Sequence, residues 1–196
     1  WRVLRSEVRR LSRTVAELLD LSRIESGREP LRVGNIDVGK VIEGVYQWYR
    51  ALPGKPPSFE IEMNSPELQP LIAQADGDAL HRCVVNFVDN AIRATPPEGR
   101  ISIWARPLDN GRIELGVTDT GEGMTSEEVS RAWERFSRSE RARAKGSPGS
   151  GLGLAIVRAL VTTMGGEAGL ESEEGRGTRA WIRLRSGDDT QSLSKQ

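Results

Sequence analysis

Apolar residues recur through the first 26 positions at heptad-like 4-3-4-3 spacing: Leu4, Val8, Leu11, Val15 and Leu18. This pattern predicts one helix with a narrow apolar seam. Arg2, Arg5, Arg9, Arg10 and Arg13 lie off the seam. A stripe of this width cannot be buried by its own helix and calls for partner helices, which favours half of a helical hairpin in a dimer over simple packing on the same domain. The stretch "SGREP" (26–30) ends the helix. Gly27 suits the position past the last turn, and Pro30 prevents continuation. The chain therefore divides into a helical segment at 1–27, a second unit at 28–186 and a polar tail at 187–196 that reads as disordered.

Beyond the boundary the period switches repeatedly. Residues 32–38 read as a short strand, 38–52 as a helix and 53–57 as a turn. Phe59, Ile61 and Met63 alternate with polar residues across 58–64 and predict a strand, with another at 70–75. Residues 78–94 are helical, with Val84, Val85, Phe87, Val88 and Ile92 on the side to be buried. Period-two runs at 100–107 and 111–119 flank "LDNG", a hairpin signal. A helix over 125–135, an aperiodic Ser-, Gly- and Arg-rich stretch over 137–150, a helix stopped by Gly165 and Gly166, and a final hairpin complete the pattern. Hairpins mixed with helices imply an α+β fold: a two-layer sandwich with helices on one face of a mixed sheet, preceded by a single helix.

Composition adds limits. The 196 residues are 37% hydrophobic and 29% charged, with zero formal net charge, so nothing in the bulk charge points to nucleic acid as a partner. A single cysteine, Cys83, excludes an internal disulfide framework and fits a reducing compartment. No apolar run approaches the ~20 residues that span a bilayer. The chain opens at Trp1, without Met and already in a helical pattern, and reads as a fragment of something longer.

The chemistry sits in four stretches. In "NFVDNAIRAT", Asn86 and Asn90 are four apart, so both amides project from one helix face, with Arg93 on the same side as Asn90. Asparagine competes with the helix backbone and two on one face need a reason. An amide oxygen is a neutral hard ligand suited to Mg²⁺, and arginine clamps phosphate oxygens; a solvated helix face is the plainer alternative. In "DTGEGM", Asp119 ends a strand and can accept from an exocyclic amine, while Gly121 and Gly123 allow close approach of a flat ligand. In "GSGLGLAIV", Gly149, Gly151 and Gly153 precede a helix whose first N–H groups suit phosphate, without the Lys-Ser/Thr of a P-loop. Arg138, Arg141, Arg143 and Lys145 make 137–150 a basic lid candidate.

The order of these stretches is more specific than any one of them. "NFVDNAIRAT", "DTGEGM", "WERF", "GSGLGL" and "GRGT" resemble the N, G1, F and G2 boxes and last glycine motif of the histidine-kinase catalytic domain, the Bergerat ATP-binding fold of the GHKL superfamily. "LLDLSRIESG" (18–27) is similar to the second helix of the dimerisation and phosphotransfer hairpin that precedes it. The resemblance spans roughly residues 1–185. It implies that Asn90 is the Mg²⁺ ligand, that Asn86 supports metal and phosphates, and that Arg93 binds phosphate. It further implies that Asp119 accepts from the adenine amine and that Gly121, Gly123 and Met124 complete that loop. By the same resemblance Gly149, Ser150, Gly151, Leu152, Gly153 and Leu154 line the triphosphate, Thr178 lies near adenine, and Arg138 is the lid arginine, with Arg141 and Arg143 as alternatives.

The expected activity is transfer of the γ-phosphate of Mg·ATP to a histidine and thence to an aspartate on a response-regulator receiver domain. The parent would be homodimeric, and this part cytoplasmic, whether or not the parent is membrane-anchored. Three departures matter. Trp133 replaces the usual Phe of the F box. Ala94 stands where an aromatic often stacks on adenine, a contact worth ~1 kcal/mol. The only histidine, His81, lies in the catalytic domain's own helix, without the His-Glu/Asp pattern of a phosphoacceptor; the chain alone is not expected to autophosphorylate. Among rival readings, an ATP-hydrolysing GHKL enzyme would carry a glutamate base where this chain has Asn86, and an amide cannot deprotonate water. An anti-sigma serine kinase fits poorly with "LLDLSRIESG" and "WERF". A non-catalytic adaptor has only Ala94 in its favour.

Overall fold

The structure is a computed structural model and describes residues 1–28, 30–51, 58–63, 70–137 and 149–187. Helix α1 (Arg2–Glu25) runs out through Ser26 to Gly27, whose φ of +66° turns the chain out of the helix. Its seam stays in solvent: Val8, Leu11 and Val15 are each more than half exposed. Leu21 and Ile24, near its end, are buried against the body.

Strand β1 (Gly34–Asp37) pairs antiparallel with β3 (Ile72–Ala75) in a small two-stranded sheet. Between them lie α2 (Val38–Arg50) and β2 (Ser58–Met63). The carboxylates of Asp37 and Asp76 cap α2 and the long helix α3 (Gly77–Ala94) by accepting from Lys40 N and Ala79 N. Strands β4 (Arg100–Leu108) and β5 (Arg112–Asp119) form the expected hairpin, and β6 (Glu167–Glu173) and β7 (Gly177–Arg185) close a second. The main sheet has the order β2-β4-β5-β7-β6, with β2 parallel to β4 and the remaining neighbours antiparallel. It is mixed, as the pattern predicts.

Alternation decides the two faces. Ile101, Ile103, Ala105, Ile113, Leu115, Val117, Ala180, Ile182 and Leu184 point inward and form one core with α2, α3 and α5 (Gly153–Thr163). The opposite face is polar and seals itself. Glu114 is wholly buried there, accepting from Arg106 and Arg179 at 2.6 Å and from Arg183 at 2.8 Å. The Arg179 guanidinium lies 4.5 Å from the Trp104 ring and that of Arg183 lies 4.0 Å from the Trp181 ring. Trp181 can lie flat because residue 169 is glycine: a Cβ there would come within 2.0 Å of the indole.

Two boundaries differ from expectation. The predicted helix over 125–135 ends early, as α4 (Ser126–Arg131), opened by a Thr125–Glu128 capping box. Trp133 then folds back onto the core and Phe136 takes a left-handed φ of +61°. Gly187, the first residue of the expected tail, is instead held to the body. Ser186 N donates to Gly111 O and Gly187 N to Ile72 O, fastening both residues to the body. Residues 188–196, and the predicted turn at 53–57, lie outside the described residues.

Candidate active site

Helix α3 lies between two glycine-rich loops. Its C-terminus meets the loop after β5, and its middle meets the loop before α5.

Asp119 is the last inward position of β5, so its carboxylate enters the edge of the core and is 6% exposed. Its Oδ1 accepts from Gly121 N at 2.8 Å, and a backbone N–H of Thr178 also donates to it. Burial outweighs both bonds and pushes the carboxyl up to about 6. The surrounding backbone comes too close for side chains. A Cβ at Gly121 would lie 2.5 Å from Ala94 O, one at Gly177 would lie 1.9 Å from Asp119 O, and one at Gly123, where φ is +63°, would lie 1.9 Å from Glu173 O. Glu122 N donates to Ala94 O at 3.1 Å, tying the loop to the end of α3. Met124 N donates to Ser172 Oγ, which is 2.9 Å from Thr178 Oγ1. Register sets Thr178 directly opposite Asp119.

On α3, Asn86 Nδ2 donates to Arg82 O at 2.9 Å. Its Oδ1 faces the start of α5, 2.7 Å from where a Cβ at Gly153 would stand, so glycine is what lets the two helices close here. Asn90 Oδ1 accepts from the Arg93 guanidinium at 2.5 Å, and Arg93 Nε is 4.0 Å from the Cβ position of Gly149. The amides and arginine that share a face in the sequence thus also share it with the glycine loop. In that loop, Gly151 has φ of +74° and packs on Phe136, Leu152 is fully buried, and Leu152 N donates to Ser150 Oγ at 3.1 Å. Leu154 is half-buried on the core. Such an arrangement presents the first N–H groups of α5 to an anion, with the helix dipole adding to them. Arg138, with Arg141, Arg143 and Lys145, lies outside the described residues.

Three further contributors escape sequence reading. Ser172 holds Met124 N and Thr178 together from a third strand. Tyr49, buried on α2, donates to Asp89 Oδ1 at 2.6 Å, beside Asn90. Burial, then the bond to Asp89, raises the Tyr49 pKa far above its ordinary value. Glu17 on α1 accepts from the Ser150 hydroxyl. The Tyr49–Asp89, Ser172–Met124 and Glu17–Ser150 contacts each join residues between 40 and 133 positions apart along the chain. No local spacing announces them.

Residues 75–188 match the family model described as histidine kinase-, DNA gyrase B-, and HSP90-like ATPase. The chain belongs to this family. Among curated members, it is 34% identical over 164 residues to the signal transduction histidine-protein kinase/phosphatase MprB of Mycolicibacterium paratuberculosis, covering 82% of this chain and 29% of MprB. It is 31% identical over 178 residues to the sensor-like histidine kinase SenX3 of Mycobacterium tuberculosis, covering 91% of this chain and 42% of SenX3. The chain thus spans less than half the length of these two family members. Among solved family structures, full-length ShkA in complex with AMPPNP superposes with a TM-score of 0.78 at 28% identity, covering 95% of this chain and 38% of ShkA. The α+β sandwich preceded by a helix is the fold of the histidine-kinase catalytic domain, as the ordered motifs imply.

Proposed function

We propose that this chain is the ATP-binding catalytic part of a two-component sensor histidine kinase. The observation that carries the reading is the placement of Asp119 and of the Asn90–Arg93 pair at two glycine loops joined by one helix. An adenine amine donates to the buried Asp119 carboxylate, with Thr178 and Gly121, Gly123 and Met124 shaping the slot. The phosphates then reach the N–H groups around Gly149, Ser150, Gly151, Leu152, Gly153 and Leu154, with Arg93 alongside.

Among the described residues no three His, Cys, Asp or Glu side chains gather to cage a metal ion. The donor set present, one amide oxygen at Asn90 backed by Asn86, fits Mg²⁺ held mainly through phosphate oxygens and water. Held there, the ion would supply neutralisation of phosphate charge. Arg93, now bonded to Asn90, exchanges that partner for phosphate, and the α5 amides stabilise charge on the transferring group. A lid arginine, Arg138 or a neighbour, completes the site.

Asn86 argues against the rival ATPase reading. Its Nδ2 is already spent on Arg82 O, and no amide can take a proton from water. Lacking that base, the site suits transfer to protein rather than to water, and the likeness to histidine kinases makes a histidine the acceptor. His81 is exposed on α3 and has no acidic partner beside it in sequence, so the acceptor lies elsewhere in the parent protein. Transfer then proceeds to an aspartate of a response-regulator receiver domain, on the cytoplasmic side. No described helix is long and apolar enough to cross a membrane.

Calorimetric titration with Mg·ADP tests the core of this reading. Binding at micromolar to sub-millimolar concentration is expected, and no heat at millimolar nucleotide would refute it.

A further inference from the structure

Among the described residues, three carboxylates of helix α1 pair with the body, one of them directly on the glycine loop. Glu17 accepts from the Ser150 hydroxyl in the glycine loop. Asp20 pairs with Arg82 at 2.9 Å, and the Arg82 carbonyl holds the Asn86 amide. Glu25 pairs with Arg135, at the end of the segment after α4. Leu21 and Ile24, 1% and 3% exposed, seat the helix between these contacts.

The Glu17 contact has a particular consequence. Ser150 lies three residues before the start of α5, and its hydroxyl both donates to Glu17 and accepts from Leu152 N. The carboxylate therefore sits at the end of α5 whose dipole and N–H groups favour negative charge. That is the field a nucleotide phosphate would use. Two anions cannot share it without repulsion, and turning Ser150 towards a phosphate removes the bond to Glu17.

We infer that Glu17 is an internal anion for the phosphate loop, so that seating of α1 and binding of nucleotide oppose each other through Ser150. The inference rests on the nucleotide-site reading above. Linkage makes the opposition reciprocal: nucleotide loosens the helix to the same extent that the seated helix weakens nucleotide. Asp20 and Glu25 keep the helix aligned while Glu17 senses occupancy, so the position of α1 reports whether the site is filled.

Two measurements on the whole chain test this. Glu17→Gln keeps the size of the side chain and removes its charge. It is expected to tighten Mg·ADP on the order of fivefold by calorimetry, the lower end of typical coupling between sites. In the second, spin labels at Ser12→Cys and Asp109→Cys, both exposed positions, report the helix-to-sheet distance. Cys83 is buried and does not compete for label. Saturating Mg·AMPPNP should shift or broaden that distance in the chain with Glu17 and change it little in the Glu17→Gln form, where no carboxylate competes with the phosphates for the loop. Unchanged or weaker Mg·ADP binding by Glu17→Gln would overturn the inference, as would a distance indifferent to nucleotide. Binding by neither protein would overturn the nucleotide reading with it.

Discussion

Two carboxylates on strand β5 show how one element sets opposite chemistry on its two faces. Glu114 faces outward among three guanidinium groups. Burial alone would raise it, but hydrogen bonds from Arg183 and Arg106 and the charge of Arg179 hold it below the usual carboxylate range. Asp119 faces inward with only backbone donors, and burial pushes it up to about 6. The signs for stability follow. Glu114 stabilises the fold above its unfolded value near 4.3 and loses that contribution as pH falls through its lower folded value. Asp119 is unfavourable when ionised, and the fold is relieved of it as pH falls from about 6 towards its unfolded value near 3.9.

Glu114→Gln should therefore lower stability by about 2 kcal/mol at neutral pH, because the arginines lose a charged acceptor but remain partly in water; the loss should vanish in acid, checked by urea unfolding against pH. Asp119→Asn should do the reverse. It should raise Tm by a few degrees at pH 7 and weaken Mg·ADP by about 10- to 100-fold, the worth of a hydrogen bond to a charged group. In the unaltered chain, Mg·ADP affinity should fall as pH drops below about 6. A residue that costs stability where it serves binding marks a site shaped for a ligand.

At the scale of elements, strands and helices were legible because each has one dry face, and periodicity reports that face directly. The exception, α4, is instructive. The run from Ser126 to Arg135 looks helical, but Trp133 gains more by turning into the core than by continuing the helix, and the chain reverses through Phe136. Tertiary burial overrode local preference. The shared face of Asn86, Asn90 and Arg93 was legible because spacing on one helix is local, whereas pairings set by register, such as Ser172 opposite Thr178, were not. The α3–α5 crossing illustrates the difference. Nothing in the sequence says that Gly153 must yield to Asn86, yet a Cβ there would press on an amide already anchored at its other end. Gly153→Ala should weaken Mg·ADP on the order of tenfold and also lower stability, since Gly153 is the first residue of α5, where alanine's helix preference counts for little against a Cβ pressed on the Asn86 amide. Paired calorimetry and thermal melts would separate the two effects.

For the whole molecule, the two faces of α1 divide its work. Leu21 and Ile24 bind it to the body, while Val8, Leu11 and Val15 stay in water at 54%, 57% and 55% exposure. A stripe of this kind seeks a partner helix. Sedimentation should show concentration-dependent association of the chain, and Leu11→Glu with Val15→Glu should keep it monomeric without altering nucleotide affinity by more than about twofold, since both lie off the face carrying Glu17.

The guanidinium-capped outer face of the sheet has an optical consequence. Trp104 and Trp181 lie on it, each against a cation. Their emission should follow the unfolding of the sheet and ignore nucleotide. Trp133 lines the cleft beside Ile24 and Arg135, where α1 seats. With the exposed Trp1 and Trp48 replaced, these indoles report separately on the integrity of the sheet and the posture of the first helix.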